Sequence, residues 1–215
     1  MSAVKGPHST RQAKAAATRQ RIIEAATVEF IAHGYHGAVM AAIAERAGVA
    51  VQTVYFVFHT KPELFAAALD AAVLGPEDEP PLQQSWASDA AATPDPVAAL
   101  RVFIHASAGI LERASALSEV AHAAAVTDPE LAAVYHSRDT LRSDGYRDFI
   151  HQLTLPPGVD AGHATDLLIA LHSPRLYQAL RDERGWTHQQ ITTWMTQTIP
   201  DLVLRPSPPT APAGS

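Results

Sequence analysis

The stretch that decides the fold is residues 39–58, which read VMAAIAERAGVAVQTVYFVF. Three of its positions meet the requirements of a helix-turn-helix. Ala44 is small enough to let two helices approach closely, and Gly48 can adopt the positive φ of a tight turn. Val54 is a branched apolar residue that can pack back on the preceding helix. This stretch therefore predicts two short helices joined by a turn.

A first helix, predicted over residues 12–33, supplies the rest of a small core. Its apolar side chains recur at helical spacing, and Gly34 provides a residue that tolerates the left-handed conformation at its end. The expected core residues of this three-helix unit are Ile22, Ala26, Phe30, Ile43, Val49 and Phe58.

The remainder of the chain also shows helical spacing of apolar residues, without a run of strand alternation. The predicted helices cover residues 12–33, 39–46, 50–57, 62–74, 96–113, 115–126, 129–153, 160–183 and 187–203. Pro174 predicts a break or kink in the eighth helix. Five prolines between Gly75 and Pro96 predict a linker or long loop there. We therefore predict an all-α fold.

Charge is distributed unevenly along the chain. Residues 1–61 carry seven basic and three acidic side chains, whereas residues 62–215 carry nine basic and nineteen acidic ones. The first 21 residues hold five cations and no anion. A basic end on an acidic body is typical of a nucleic-acid-binding segment, and a solvated arm without a partner is the alternative.

Composition excludes several classes of function. The chain has no cysteine, which rules out disulfides, thiolate zinc sites and cysteine nucleophiles. Its 11 histidines show no spacing typical of a metal site on a helix, so we expect no metal and no cofactor. No run of 18 apolar residues and no signal-peptide core are present, so we expect a cytoplasmic protein without a membrane partner.

The segment from Arg21 to about Leu69 resembles the TetR family of one-component transcriptional regulators. The matching residues are Ile22-Ile23-Glu24-Ala25-Ala26, Phe30, Gly34-Tyr35, Ile43-Ala44, Ala47-Gly48-Val49, Thr53-Val54-Tyr55, Phe58 and Lys61-Pro62-Glu63-Leu64. The resemblance implies a homodimer whose two helix-turn-helix units read a palindromic operator in double-stranded DNA. It also implies a C-terminal helical domain that binds a small-molecule effector and supplies the dimer contact.

This resemblance divides the chain into three parts. Residues 1–61 are expected to form a DNA-binding helix-turn-helix domain with a basic N-terminal arm. Residues 62–204 are expected to form a helical ligand-binding and dimerisation domain, and residues 205–215 a disordered tail.

The resemblance also assigns the DNA contacts. Gln52 and Thr53 fall on the recognition helix and are expected to reach base edges, and glutamine suits adenine. Tyr55 and Lys61 match positions that meet the phosphate backbone. The cations of the first helix are expected to add phosphate or minor-groove contacts: Arg11, Lys14 and Arg19.

The chain departs from the family pattern around the recognition helix. Ala38 and Val39 stand where the family usually has threonine or serine at the start of the second helix. Ala50 stands where it usually has serine before the recognition helix, and Gln52 where it has a small residue within that helix. The lost hydroxyl caps are worth about 1 kcal/mol each. The recognition helix is unusually apolar at Val51, Phe56 and Val57. These three side chains are expected to touch thymine methyl groups or to pack on a partner protein.

Two further sites are predicted in the C-terminal part. Arg138 and Arg142 fall within the apolar stripe of the seventh helix, where a charge is costly unless it is paired. We interpret the two arginines as cationic anchors for an effector. The alternative is an ion pair between helices, with Glu112, Glu119 or Asp166. The full set of candidate effector residues is Phe103, Ser107, Ile110, Tyr135, Arg138 and Arg142.

The candidate dimer interface is a stripe on the last helix together with the helix before it. Its members are Ile169, Leu176, Tyr177, Leu180, Ile191, Trp194 and Met195. The alternative is that these side chains form the core of one chain.

The sequence therefore predicts a ligand-responsive DNA-binding regulator, a repressor that its effector releases from the operator. One alternative is a ligand-binding or protein-binding dimer that has lost specific DNA recognition. An enzyme is the other alternative, but no pair of candidate acids and bases has a spacing that dictates a mechanism, so we expect no enzymatic activity.

Overall fold

The computed structural model describes residues 7–206, without the side chains of residues 7–10 and 77. It is all-α, and no strand occurs in this range, as predicted. The helices are α1 Pro7–Gly37, α2 Met40–Ala47, α3 Val51–Phe58, α4 Lys61–Leu74, α5 Ser85–Ala91, α6 Pro96–Ala125, α7 Pro129–Gln152, α8 Ala161–Leu171, α9 Pro174–Gln178 and α10 His188–Val203. Residues 1–6 of the predicted basic arm and 207–215 of the predicted tail lie outside the described residues.

No single helix within residues 7–206 is long and apolar enough to span a membrane. The two short helices α2 and α3 reach that length and hydropathy only as a pair, across a bend of 103°.

Several predicted boundaries have the expected cause. Gly34, with a φ of 67°, interrupts α1 three residues before its end, where the first helix was predicted to stop. Gly48, with a φ of 65°, follows the last residue of α2. The predicted break before Pro174 is confirmed, because the Ser173 hydroxyl accepts from the backbone N–H of Leu176 and α9 begins there. Beyond Gln178, α9 continues as a π-helical stretch, Ala179–Glu183.

The predicted break between residues 113 and 115 is wrong, because α6 continues from Pro96 to Ala125. Neither glycine nor proline stands at residues 113–115 to end the helix. Ala114 and Ser115 are both buried, and the Ser115 hydroxyl donates to Gln178 Oε1 at 2.8 Å. A buried hydrogen bond explains a polar residue in mid-helix.

Residues 75–96 are not the plain loop predicted from their prolines. They contain 3-10 turns at Gly75–Glu77 and Pro81–Gln83 and the helix α5. Ala87 and Ala90 on α5 are buried, and the Trp86 ring packs edge-on against Phe103 at 5.5 Å. The apolar contacts of α5, which lies between Pro81 and Pro94, therefore hold this segment in place.

The helices form two compact units. The first comprises the chain up to Ala72 together with Ala116–Tyr135, and the second comprises Val73–Ser115 with the chain from His136 onward. Helices α6 and α7 contribute residues to both. Most of the core predicted for the three-helix unit is fully buried, and Val49 is half-buried.

The second unit has an aromatic core. Phe103 stacks on Phe149 with their centroids 4.2 Å apart and meets the edge of Tyr146 at 5.5 Å. Ile191 and Met195 of α10 are 0% exposed and belong to this core.

A buried carboxylate ties α1 to α2. Glu29 is 5% exposed, and its Oε1 accepts from Arg46 Nε at 2.8 Å. His33 Nε2 lies 3.6 Å from the other oxygen. Because a buried carboxylate without partners is costly, this pair fixes the end of α2 on α1.

Replacement of Arg46 by alanine is expected to lower the free energy of unfolding by about 1–2 kcal/mol, because Glu29 loses its closest donor. The same replacement should cost less in a Glu29→Ala background. Urea denaturation of the four variants gives the coupling energy. Arg21→Ala removes the same charge from an exposed position of α1 and serves as the control. A coupling energy near zero would show that the pair does not fix α2.

Candidate functional site

Helix α3 presents one face to solvent because the opposite face is buried. Val54 and Phe58, one turn apart, are 0% and 4% exposed. Gln52 and Phe56 lie about 200° from Val54 on the helical wheel and are exposed. Tyr55 is 48% exposed on one flank, so this helix offers amide, phenol and aromatic groups at its surface.

The helices of the helix-turn-helix lack side-chain caps. Val39 and Ala50 occupy the N-cap positions of α2 and α3, and neither side chain makes a cap hydrogen bond. The predicted absence of hydroxyl caps is therefore confirmed. Helix α4 differs, because the Thr60 hydroxyl accepts from the backbone N–H of Glu63 at 3.2 Å. The sequence analysis missed this threonine, although a threonine before Lys-Pro-Glu is a recognisable N-cap signal.

Three predicted phosphate-contacting cations lie along α1. Arg11, Lys14 and Arg19 are all exposed. The Arg19 guanidinium lies 5.1 Å from the centroid of the Phe58 ring, which places this charge beside the end of α3. The helix therefore carries a row of accessible positive charge.

Lys61 is in a different environment from these cations. Its ammonium lies 4.6 Å from the centroid of the Tyr35 ring and is half-buried. Burial lowers the pKa of Lys61, and the charge of Asp128 opposes that shift. Burial also raises the pKa of Tyr35 to about 12, with Asp128 and Glu130 adding to the effect. Lys61 is thus partly engaged inside the first unit.

A buried polar network lies in the second unit, and its central residue is His172. The Tyr146 hydroxyl lies 2.6 Å from His172 Nδ1, and the Ser107 hydroxyl lies 3.5 Å from Nε2. Because Ser107 donates its proton to the Phe103 carbonyl at 2.6 Å, it can only accept from Nε2. The Tyr146 hydroxyl also lies 3.1 Å from the His172 carbonyl, and its shorter contact, with Nδ1, takes its proton. A neutral imidazole then accepts through Nδ1 and donates through Nε2.

Titration properties of this network follow from its burial. Burial lowers the pKa of His172 to about 3, and the charge of Arg142 adds to the shift. Burial also raises the pKa of Tyr146 to about 12. Both groups are therefore neutral around pH 7.

Arg142 extends the network toward the surface. Its guanidinium lies 5.3 Å from the Tyr146 ring centroid and donates to Asp139 at 2.8 Å and to the Ile169 carbonyl at 3.1 Å. The predicted partners of this charge were three other carboxylates, so that pairing is wrong for Arg142. The partner lies one turn earlier on the same helix, where an i,i+3 pair needs no neighbouring helix.

The structure brings together only part of the predicted effector set. Phe103, Ser107 and Arg142 surround the network, whereas Ile110 and Arg138 are half-buried elsewhere on their helices. Tyr135 belongs to the first unit, where its ring lies 5.2 Å from that of His122.

Sequence reasoning missed His172. Isolated histidines carry little signal in a sequence. The one available clue was its position directly before the Ser-Pro helix break.

Three members of the predicted dimer stripe are core residues of a single chain. Tyr177, Ile191 and Met195 are each 0% exposed, so they are not available to a second copy. Tyr177 is further held by its hydroxyl, which lies 2.9 Å from His188 Nδ1 and accepts from Arg181 at 3.2 Å. The other members are half-buried: Ile169, Leu176, Leu180 and Trp194.

Two open clefts follow the outer face of α10. Their volumes are about 360 and 430 Å³, and both are lined by Gln189, Thr193 and Gln197. His105 and His188 complete the first cleft, and the second includes two tryptophans. This face therefore combines amide and hydroxyl groups with half-buried aromatic rings.

His172→Gln is expected to flatten the dependence of unfolding free energy on pH. Because the folded pKa of about 3 lies below the ordinary 6.5, the unfolded chain takes up a proton first as the pH falls. The stability that neutral His172 contributes is fully present above pH 6.5 and is lost as the pH falls toward 3. The expected loss is about 1.4 kcal/mol per pH unit below about pH 6.

Urea denaturation of both proteins at several pH values measures this difference. The comparison near pH 7.5 gives the cost of the substitution itself, because His172 is neutral there in both states. Parallel curves for wild type and variant below pH 6 would contradict the burial of a neutral histidine.

One segment of the chain matches a known family model. Residues 22–68 match the family model for bacterial regulatory proteins of the tetR family. No curated protein matches the sequence. The matched segment contains the second half of α1, all of α2 and α3 and the first half of α4, and so includes the exposed face of α3.

Solved structures with the same fold cover most of the chain. A structure assigned to the TetR family of transcriptional regulators, from Mesorhizobium loti MAFF303099, is 22% identical with a TM-score of 0.67, over 88% of this chain and 96% of the other. NalD, the secondary repressor of the MexAB-OprM multidrug efflux pump in Pseudomonas aeruginosa, is 22% identical with a TM-score of 0.62, over 86% and 96%.

FadR from Bacillus subtilis, in complex with stearoyl-CoA, is 15% identical with a TM-score of 0.66, over 88% of this chain and 99% of its own. Residues 22–68, which contain the helix-turn-helix, therefore match the tetR-family model, and the chain as a whole shares its fold with these solved regulators.

Proposed function

We propose that this protein is a ligand-responsive transcriptional repressor that binds a palindromic operator as a homodimer. The observation that carries this proposal is the exposed face of α3, opposite the buried Val54 and Phe58, within the segment that matches the tetR family. A helix presented in this way can enter the major groove of B-DNA.

The proposed DNA contacts divide into base and phosphate contacts. Gln52 and Thr53 read base edges, and Tyr55 binds phosphate. The exposed cations of α1 add charge-driven contacts whose strength falls as salt rises. Lys61 contributes less to phosphate binding than these cations do, because its ammonium lies over the Tyr35 ring.

A homodimer is needed to read a palindrome. Recognition helices of a two-fold dimer must enter successive major grooves, about 34–36 Å apart. We place the interface on the half-buried residues of the predicted stripe, Leu176, Leu180 and Trp194, which keep apolar surface that one chain does not cover.

The second unit is the proposed effector-binding part. Its polar network offers a hydroxyl, a neutral imidazole and a guanidinium on the wall of an aromatic core. The complex of FadR with stearoyl-CoA shows that a protein of this fold holds a small molecule, which supports the proposal. An effector releases the operator only by its differential affinity for the two states.

A second candidate is a helical dimer that binds ligand or protein without specific DNA recognition. The exposed Phe56 on α3 favours it, since apolar side chains also suit protein interfaces. An enzyme is not favoured, because the matching family and the similar structures are regulators.

Replacement of both Gln52 and Thr53 by alanine is expected to abolish sequence-specific DNA binding. Each well-placed base contact is worth about 1–3 kcal/mol of discrimination, so affinity should fall at least tenfold. Selection of bound fragments from genomic DNA at two salt concentrations supplies the operator, and a fluorescence titration measures the loss. Gln152→Ala/Thr154→Ala, an exposed pair outside the helix-turn-helix, should bind as wild type does.

Failure of wild type to enrich any site at either salt concentration would reject the DNA-binding function and leave the second candidate.

Trp194→Glu is expected to convert the dimer to a monomer, because a charge at the proposed interface must be desolvated when two copies pack. Sedimentation equilibrium measures the mass, and a thermal melt checks that the variant is folded. Leu141→Glu alters a side chain that is 69% exposed and should leave the dimer intact. A variant that is folded and still dimeric would show that the interface does not include Trp194.

A further inference from the structure

Phe56 is the most exposed large apolar side chain of the helix-turn-helix. It is 83% exposed, and among the large apolar side chains of the described residues only Val126 also reaches four-fifths. A phenyl ring in water forgoes the stabilisation that burial would give it, so its presence contributes little to folding. A side chain of this kind on a recognition helix is better explained by binding.

Position on α3 separates Phe56 from the other apolar residues of that helix. Val51 and Val57 are half-buried, whereas Phe56 lies one turn after Gln52 on the face opposite the buried pair. The two exposed side chains are therefore spaced by about 6 Å along the helix axis. That distance spans one to two base-pair steps of about 3.4 Å.

Positive charge lies at the end of α3 that carries Phe56. The Arg19 guanidinium lies 5.1 Å from the ring centroid of Phe58, two residues after Phe56, and the other cations of α1 are exposed along that helix: Arg11, Lys14 and Arg21. Charge complementarity therefore favours a polyanion as the partner of this surface. The apolar group that B-DNA presents in its major groove is the C5-methyl group of thymine.

We propose that Phe56 is a specificity-determining residue that packs on the C5-methyl group of a thymine, one or two base-pair steps from an adenine read by Gln52. The half-site then contains two A·T pairs at that spacing. This inference rests on the proposed DNA-binding function and names the base chemistry that the site selects.

The test replaces thymine by 2′-deoxyuridine at each position of the selected operator, which removes only the methyl group. Wild-type affinity is expected to fall about fourfold per half-site at one thymine, because one buried methyl group is lost. Phe56→Ala should bind the thymine operator more weakly and should bind both operators equally. 5-Methylcytosine at that position, paired with guanine, should bind better than cytosine.

Two matched variants complete the design. Val126→Ala removes apolar surface of similar exposure outside α3 and should keep both the affinity and the uridine penalty. Gln52→Ala should bind more weakly but keep the uridine penalty, because the methyl contact is independent of the amide.

Each remaining outcome overturns the inference. Equal binding of thymine and uridine operators by wild type at every position rejects methyl recognition while the DNA-binding function stands. An unchanged uridine penalty in Phe56→Ala assigns the methyl contact to another residue. Absence of any selected DNA rejects both proposals and leaves Phe56 as surface for a protein partner.

Discussion

Burial of Val54 and Phe58 is the constraint on which the recognition surface depends. These two side chains hold α3 against the core of the first unit, and their depth fixes the rotation of the helix about its own axis. Once that rotation is fixed, Gln52 and Phe56 must face outward. The apolar core therefore decides which residues of α3 are presented, without a side-chain cap at the start of α3.

Polar interactions hold the rest of the arrangement at a few buried points. Arg46 neutralises Glu29 where α2 meets α1, and His172 lies between two hydroxyls in the second unit. Such groups are costly in an apolar interior unless they are paired, so each fixes a geometry that apolar packing alone would leave adjustable.

Many errors of prediction share one cause. These predictions rested on local sequence patterns, whereas contacts between distant residues decided the structure. Prolines between residues 75 and 96 suggested a loop, but Trp86 packs on Phe103 and holds α5 there. Likewise, a stripe on the last two helices suggested a dimer interface, yet Tyr177, Ile191 and Met195 face the interior of their own chain. A periodic apolar stripe indicates that one face of a helix is buried, but it does not show whether the same chain or a second copy covers that face.

The sequence by itself determined the all-α class, the helix-turn-helix, its glycine turn at Gly48 and the basic character of α1. Each of these follows from local spacing, backbone preference or net charge, which are properties of neighbouring residues. Only the tertiary structure decided that Phe56 rather than Val51 or Val57 is exposed, that Lys61 lies over Tyr35, and that His172 is buried beside Tyr146. The exposure of each of these side chains and its hydrogen-bond or ring contacts depend on which helices, distant in sequence, pack against one another.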